Sequence, residues 1–187
     1  MVKDTLIEGT KIILPNVFND SRGSFLESWN RKTMAEAGIK DDFVQDNLSV
    51  SYKGVLRGVH TQLYYPQSKI VTCVSGRIFD VAVDCRKNSP SFGMWFGEIL
   101  SSDNRKQMYI PAGVAHGFYS FEDSTVYMKV TTHYEPGDEI GFMWNDKDIA
   151  IEWPFSGDEK LVLADKDMQW GSFKELVSKI EDFQQKR

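Results

Sequence analysis

The middle of the chain consists of short β-type runs that are separated by turn residues, with no helical pattern between them. These runs are Thr10–Leu14, Phe43–Tyr52, Lys69–Ser75, Arg77–Asp84, Trp95–Leu100, Lys106–Ile110, Gly117–Phe121 and Val126–Tyr134. Successive short strands without intervening helices are typical of sandwiches and barrels, whereas a parallel α/β sheet needs helical crossovers. Val74-Ser75-Gly76-Arg77, between two of the runs, predicts a hairpin turn. The sequence therefore predicts a mainly β protein.

Helical patterns are confined to the two ends of the chain. Asn30–Ala37 is followed by Gly38, a residue that commonly ends helices. Ser172–Gln185 has apolar residues at helical spacing, and Ser172 is a suitable N-cap. A length of 187 residues without a linker or an internal repeat indicates one domain. We predict a single domain over 1–187, with a C-terminal helix at about 172–185 docked on it.

The charge balance limits the partners of the chain. There are 22 Lys and Arg against 27 Asp and Glu, a net charge of -5, which argues against non-specific binding to nucleic acid. An anionic ligand would require a local cluster of basic side chains. The chain has no apolar run of membrane-spanning length and no signal-peptide pattern, so we expect no membrane partner and a cytoplasmic location. Cys73 and Cys85 lie in apolar β-type runs and are expected to be buried, reduced thiols.

Two of the three histidines, His60 and His116, end short β-type runs near glycines, where a ligand can approach the backbone. His133 lies among turn residues ahead of Pro136 and is expected in a surface loop. Metal-binding barrels often use a His-x-His pair followed by Glu, but Gln62 stands two residues after His60. We therefore predict no metal site.

Six blocks of sequence resemble the dTDP-4-dehydrorhamnose 3,5-epimerase family, in the family's order from about Thr10 to Asp167. The blocks are Asp20–Glu27, Phe43–Asn47, Leu56–His60, Phe79–Asp84, Ile110–Phe118 and Trp144–Asp146. The resemblance implies a jelly-roll (cupin) barrel with short peripheral helices and a C-terminal helix. It also implies a homodimer with N-terminal strand exchange, a nucleotide-diphosphate sugar substrate from deoxysugar biosynthesis such as that of lipopolysaccharide O-antigen, and no metal or organic cofactor.

The resemblance implies catalytic roles for three residues of this chain. His60 matches the family's base, and an imidazole can accept and return a proton near neutral pH. Asp167 matches the carboxylate that the family pairs with that histidine, and such a pair fixes the tautomer of the ring. Lys69 matches the lysine that stabilises the enolate formed when a proton leaves the carbon beside a ketone.

The remaining matches concern substrate binding. Arg22 and Arg57 correspond to residues that hold the diphosphate or the nucleotide, a task that suits the planar guanidinium group. By the resemblance, Arg22 reaches the neighbouring subunit's pocket. The other expected ligand contacts come from Gln45, Asn47, His116, Phe25 on the base, and Glu27, for which a surface ion pair is the simple alternative.

The chain departs from the family pattern at Met128, where the family has the tyrosine that acts as the acid. Tyr127 is adjacent, but side chains alternate along a strand, so it should point away from the interior unless the strand bulges. Several alternatives stay open: a 3,5-epimerase whose acid is Tyr127, another group or water; a C3-only or C5-only epimerase; and a 3,4-ketoisomerase. A sugar-nucleotide binding module is the non-enzyme alternative, in which Met128 marks the loss of activity. Met128 is also expected among the residues that contact the substrate.

Overall fold

The computed structural model describes residues 1–155 and 160–186, which form thirteen strands, two α-helices and one 3-10 helix. The helices are α1 (Arg31–Glu36), α2 (Phe173–Gln185) and the 3-10 helix Asp165–Met168. The strands are β1 (Val2–Asp4), β2 (Lys11–Ile13), β3 (Val17–Asp20), β4 (Gly23–Leu26), β5 (Gln45–Ser51), β6 (Leu56–Gln62), β7 (Lys69–Ser75), β8 (Arg77–Asp84), β9 (Trp95–Ser101), β10 (Gln107–Ile110), β11 (Val114–Ser120), β12 (Ser124–Val130) and β13 (Glu139–Gly141).

Two antiparallel sheets face each other. The larger sheet has six strands in the order β1-β2-β10-β7-β12-β5, and the smaller sheet has five in the order β13-β6-β11-β8-β9. Strands β3 and β4 form a separate hairpin. The prediction of a mainly β protein is confirmed. The sheets form the two halves of a jelly roll and do not join into one continuous hydrogen-bonded barrel within the described residues.

The prediction of a hairpin at Val74–Arg77 is wrong. Strand β7 pairs with β10 and β12 in the larger sheet, whereas β8 pairs with β11 and β9 in the smaller sheet. The turn, in which Gly76 has a φ of 77°, therefore carries the chain from one sheet to the other. Both strands present apolar side chains to the space between the sheets, so folding one sheet over the other buries more apolar surface than pairing them would.

The main core lies between the sheets and combines Val71 and Met108 of the larger sheet with Leu100 and Phe118 of the smaller one. Each outer face is covered in part by a helix. On the smaller sheet, Phe173 and Leu176 of α2 pack against Val81 and neighbouring residues. On the larger sheet, Met34 of α1 packs against Ile70 and Tyr109.

Both predicted helices are present, and α2 begins after the predicted N-cap, Ser172. The Asn30 side chain accepts hydrogen bonds from the backbone N–H groups of Lys32 and Thr33, and Ala37 caps the other end of α1. Ser172 and Glu175 form a capping box at the start of α2. Cys73 and Cys85 are free and buried, as predicted. None of the helices in the described residues is both long and apolar enough to cross a bilayer.

Candidate active site

A cavity of about 220 Å³ opens between the two sheets. Strands β6 and β11 of the smaller sheet line one wall, and β5, β7 and β12 of the larger sheet line the other. The lining residues are Asn47, Ser49, Arg57, His60, Thr61, Gln62, Gln67, Lys69, His116, Gly117, Phe118, Met128, Val130, Tyr134, Glu139 and Lys166. Six of the residues predicted for the site therefore share this cavity: Asn47, Arg57, His60, Lys69, His116 and Met128.

A β-bulge in β6 brings Arg57 and His60 to the same cavity. Residues three apart on a regular strand point to opposite faces. Here His60 lies opposite His116 and Arg57 lies opposite Phe118, so β6 has one residue more than β11 in this interval. Gly58 occupies the bulge with a φ of 101°, and a Cβ atom there would lie 2.5 Å from the backbone oxygen of His116. His60 thus lies within strand β6, whereas the sequence had predicted it at the end of a β-type run.

His60 is held in its neutral form. Burial lowers its pKa well below the ordinary value of 6.5, and electrostatic interactions with Lys69, His116 and Lys166 lower it further. An imidazole that is neutral at physiological pH has a lone pair available to accept a proton. His133, in contrast, is exposed in a loop, as predicted.

Lys69 places an ammonium group in the wall opposite His60. The residue is 9% exposed, and its ammonium group makes no hydrogen bond or ion pair within residues 1–155 and 160–186. Burial lowers the pKa of Lys69, and the charges of Glu139 and Asp80 partly offset this effect. A buried charge without a partner is costly, and such groups are typical of sites that stabilise an anion.

The charges that line the cavity favour an anionic ligand. Arg57, Lys69 and Lys166 contribute three cations, and Glu139 contributes the one carboxylate among the described lining residues. This is the local basic cluster that a chain of net charge -5 requires for binding an anion. Arg57 is anchored by its Nε, which donates to Ser51 Oγ at 3.0 Å.

The structure does not pair Asp167 with His60. The carboxylate of Asp167 accepts hydrogen bonds from Trp170 Nε1 at 3.2 Å and from the backbone N–H of Gly58. Burial raises the pKa of Asp167. The carboxylate that contacts the imidazole belongs to Glu139, whose Oε1 lies 3.2 Å from His60 Nδ1. Asp167 therefore stabilises the bulge in β6 through its hydrogen bond with the backbone of Gly58.

Met128 faces the cavity and Tyr127 does not. Strand β12 pairs regularly here, with Met128 opposite Asn47 and Tyr127 opposite Leu48, so the alternation of side chains is kept. The Tyr127 hydroxyl lies 3.5 Å from Lys129 Nζ, on the outer face of the larger sheet. The proposed alternative acid, Tyr127, is therefore separated from His60 by its own sheet.

The predicted contacts on β5 form a short polar chain. Gln45 Nε2 donates to Asn47 Oδ1 at 2.7 Å, and Gln45 Oε1 accepts from the backbone N–H of Tyr134 at 3.1 Å. Gln45 therefore lies beside the cavity, on the same face of β5 as Asn47, and positions two residues that line it. On the opposite wall, His116 Nε2 lies 2.6 Å from Asp80 Oδ1, and both residues are buried.

Arg22, Phe25 and Glu27 lie outside this cavity. Arg22, in the turn of the β3–β4 hairpin, pairs with Asp20, and Phe25 is 72% exposed. Glu27 accepts hydrogen bonds from Asn30 Nδ2 and the Thr33 hydroxyl beside α1, so its contacts are hydrogen bonds and not the ion pair considered above.

Sequence reasoning missed Glu139, Lys166 and Tyr134 as lining residues. Glu139 follows turn residues and belongs to a three-residue strand, too short to show an alternating pattern. Lys166 lies between Asp165 and Asp167, where a catalytic carboxylate was expected, so the lysine itself was not considered. Asp138, the residue before β13, is buried. Its carboxylate holds the loop after β6, because it accepts hydrogen bonds from the backbone N–H groups of Leu63 and Tyr64.

The chain is similar to known proteins over most of its length. The profile described as dTDP-4-dehydrorhamnose 3,5-epimerase matches residues 4–175. The dTDP-4-dehydrorhamnose 3,5-epimerase of Shigella flexneri is 49% identical over 172 residues, which cover 90% of this chain and 93% of that protein. This chain belongs to the dTDP-4-dehydrorhamnose 3,5-epimerase family.

Solved structures of the epimerase family have the same fold. The dTDP-6-deoxy-D-glucose-3,5-epimerase from Legionella pneumophila Philadelphia 1, in complex with dTDP-4-keto-L-rhamnose, superposes with a TM-score of 0.92 at 42% identity, covering 96% of each chain. A 3'-monoepimerase from Streptomyces bikiniensis, in complex with dTDP-quinovose, has a TM-score of 0.86 at 28% identity, covering 97% of this chain and 94% of that one. The predicted cupin jelly roll is thus confirmed.

Membership of the epimerase family makes the chain an isomerase, which sets aside the non-catalytic binding module. Within the described residues, no group of three or more His, Cys, Asp or Glu side chains is arranged to hold a metal ion.

Proposed function

We propose that this chain inverts C3 and C5 of a dTDP-linked 4-keto-6-deoxy sugar through an enolate, with His60 as the base. The observation that carries the proposal is the unpaired ammonium group of the buried residue Lys69, which shares a cavity with a neutral imidazole. Similarity to epimerases solved with dTDP-sugars supports the choice of substrate.

The proposed reaction begins with transfer of the proton from the carbon beside the ketone to the neutral ring of His60. The electron pair of the broken C–H bond forms the enolate, and negative charge develops on the keto oxygen. Lys69 stabilises this charge, and the loss of one such donor typically costs about 3–4 kcal/mol in the transition state. A proton delivered to the other face of the carbon completes the inversion.

The cavity accommodates only part of a sugar nucleotide. Its volume of about 220 Å³ is below the roughly 300–1,000 Å³ of sites that enclose whole drug-sized ligands. We infer that the ketosugar occupies the cavity beside His60 and Lys69, and that the diphosphate lies towards the exposed guanidinium of Arg57. Asn47 and His116 would then contact the sugar, and the nucleotide would extend beyond the mouth.

The test is exchange in deuterated water, followed by NMR of a dTDP-linked 4-keto-6-deoxyhexose. We expect deuterium at both C3 and C5 with the wild-type protein, and none with His60→Ala, while dTDP affinity measured by calorimetry stays nearly unchanged. His133→Ala is the matched control, since His133 is exposed in a loop, and should behave as wild type. Absence of exchange by a folded wild-type protein that binds dTDP would rule the proposal out.

A single-centre epimerase is the second candidate, and Met128 favours it. A thioether cannot donate a proton, and Met128 occupies the wall that faces β6. The proton for the second face must then come from water or from Tyr134, which lines the cavity. If inversion at one carbon depends on a fixed donor, this chain would label or invert that carbon slowly or not at all.

Met128→Tyr tests the second candidate directly. We expect the variant to raise the rate of inversion at the slower of the two carbons, measured by NMR of the product. Tyr127→Phe is the control, because that side chain lies on the outer face of the sheet. Equal rates at C3 and C5 in the wild type, unchanged in Met128→Tyr, would eliminate the single-centre reading.

A homodimer is part of the same proposal. Phe18 and Phe25 are direct partners across the β3–β4 hairpin and are 64% and 72% exposed. An isolated two-stranded hairpin is marginally stable, and exposed apolar pairs of this kind mark contact surfaces. A second copy of the chain that accepts this hairpin would cover the two rings. Arg22 of the first copy would then lie at the mouth of the second copy's cavity.

Co-expression of Arg22→Ala with His60→Ala tests the dimer. Each variant alone should be inactive or nearly so, whereas a mixed dimer contains one cavity with an intact His60 and an intact Arg22 from the other copy. Recovery of activity in the mixture is the expected result. A monomer in sedimentation, with no recovery of activity, would refute the exchange of hairpins.

A cytoplasmic location also belongs to this proposal and is supported by two buried free cysteines, which suit a reducing compartment.

A further inference from the structure

The inner end of the cavity is apolar. Three of its lining side chains, Phe118, Met128 and Val130, are hydrophobic, whereas most of the others are charged or polar. Phe118 and Val130 are each 2% exposed, and Met128 packs against the main core, to which Phe118 belongs. Arg57 and Tyr134, in contrast, are exposed residues. The cavity therefore becomes more apolar from its mouth towards the core.

These apolar side chains lie beside Lys69. Val130 is directly opposite Lys69 in the β7–β12 ladder, and Met128 is opposite Val71. Residues two apart on a strand share a face, so Met128, Val130 and Lys69 project from the same face of the larger sheet. Phe118 projects from β11, in the other wall. A group bound next to the Lys69 ammonium group therefore meets apolar surface on both walls.

A 4-keto-6-deoxy sugar carries an apolar group at the matching place. Its C6 methyl group is attached to C5, the carbon next to the ketone, so it lies two bonds from the keto carbon. Inversion at C5 exchanges the positions of the hydrogen and the methyl group, so a site for this methyl group needs apolar surface on both faces of the ring. Phe118 on one wall, and Met128 with Val130 on the other, meet this requirement.

The polar side chains at the inner end suit the ring hydroxyl groups. Ser49 lines the cavity from β5, and its Oγ is buried without a hydrogen-bond partner among the described residues. Asn47, opposite Met128 in the β5–β12 ladder, lines the same wall. A buried hydroxyl without a partner is costly, so we expect a hydroxyl group of the ligand at Ser49. C3 and C5 lie on opposite sides of the keto carbon, which leaves the methyl group for the apolar side chains.

We propose that Phe118, Met128 and Val130 form a subsite for the C6 methyl group, and that Met128 makes the protein select 6-deoxy sugars over their 6-hydroxy counterparts. The inference rests on the proposed function, because it places the same ketosugar in the cavity. None of the three side chains can donate a hydrogen bond, and the thioether is only a weak acceptor. A hydrophobic pocket typically rejects an added hydroxyl group by about 100-fold.

Calorimetry with two unreactive sugar nucleotides tests the subsite. dTDP-6-deoxyglucose and dTDP-glucose differ only by the hydroxyl group at C6, and their binding needs no turnover. We expect the wild-type protein to bind dTDP-6-deoxyglucose roughly 10- to 100-fold more tightly. Met128→Gln keeps an unbranched side chain and adds an amide that can pair with the hydroxyl group, so it should reduce this ratio roughly tenfold. Met94→Gln is the matched control and should leave the ratio unchanged, since Met94 is 44% exposed and lies outside the cavity lining.

A second variant and a direct contact keep the inference testable if Met128→Gln does not fold. Val130→Thr is nearly isosteric and adds a hydroxyl group to the same wall, so it should also reduce the ratio. With ¹³C-methyl-labelled methionine, the complex with dTDP-6-deoxyglucose should show an NOE between one of the seven methionine methyl groups and the C6 methyl group, and Met128→Leu should lack it. Equal wild-type affinity for the two ligands, a ratio unchanged in both Met128→Gln and Val130→Thr, or no such NOE would overturn the subsite.

Failure of the proposed function gives a different result from failure of the subsite. A wild-type protein that prefers dTDP-6-deoxyglucose but exchanges no deuterium into the ketosugar would refute the proposed reaction and leave the subsite standing. A protein that exchanges deuterium at C3 and C5 but binds the two ligands equally would refute the subsite alone.

Discussion

Replacing Lys69 by Met should make the protein more stable and, at the same time, much less active. Lys69 is 9% exposed as a residue and its ammonium group has no partner among the described residues, whereas Met retains an unbranched side chain that can fill the same space. Leaving a buried polar group unpaired costs about 1–3 kcal/mol, and more when it is charged. We therefore expect Lys69→Met to raise the free energy of unfolding by about 1–3 kcal/mol.

The expected change is measurable in both assays. For a chain of this size, each kcal/mol shifts Tm by about 2–4 °C. The rate of inversion should fall by about 10²–10³-fold, the usual effect of removing one donor to a developing oxyanion. Thermal unfolding must be followed at one protein concentration, because association changes Tm. Lys147→Met, at an exposed site, is the matched control and should change neither quantity.

The pH dependence of the stability gain gives a further check. Burial lowers the pKa of Lys69 below its ordinary value of 10.5, so the unfolded chain binds the proton more tightly than the folded one. Wild-type stability therefore rises as the pH increases through the interval that ends near 10.5, and the advantage of Lys69→Met shrinks over the same interval. A variant that is less stable than the wild type at neutral pH would show that Lys69 is a structural residue and refute the reasoning.

Further predictions concern the base and the bulge. The acid limb of kcat/KM should have its midpoint below pH 6.5, because burial lowers the pKa of His60, and a pH–rate profile with its midpoint above 6.5 would contradict this. His60 should also make the fold less stable as the pH falls below 6.5, where the unfolded chain takes up the proton first; urea unfolding of wild type and His60→Ala from pH 7 to 5 measures the difference. Gly58→Ala should lose about 1–3 kcal/mol or more in urea unfolding, since the new Cβ meets the backbone oxygen of His116 at a φ of 101°. Gly137→Ala, which also has a positive φ but no atom within 4 Å of the new Cβ, should lose less.

Local patterns predicted the strands that end at clear turn residues. Lys69–Ser75 and Arg77–Asp84 have the predicted bounds, because β-branched residues fill them and turn residues flank them. The pairing of those two strands was not predictable in this way. A turn residue such as Gly76 shows that the chain reverses, but which sheet receives the next strand depends on partners far along the sequence.

The same limit applies to the site. The matching motifs identified six of the residues that share the cavity, since each motif is short and local. The contact between His60 and Glu139 joins residues 79 positions apart through a three-residue strand, and only the register of β13 on β6 reveals it. The bulge at Gly58 also escaped notice, because a glycine in a strand signals an irregularity without giving the direction of the side chains that follow.

The carboxylate of Asp138 stabilises the connection between the two walls of the cavity. His60 and Lys69 stand on different sheets, and the loop that joins their strands is held by this one buried side chain, which accepts hydrogen bonds from the amides of Leu63 and Tyr64. The link between the strand of the proposed base and the strand of the proposed oxyanion donor therefore depends on a residue that does not itself line the cavity.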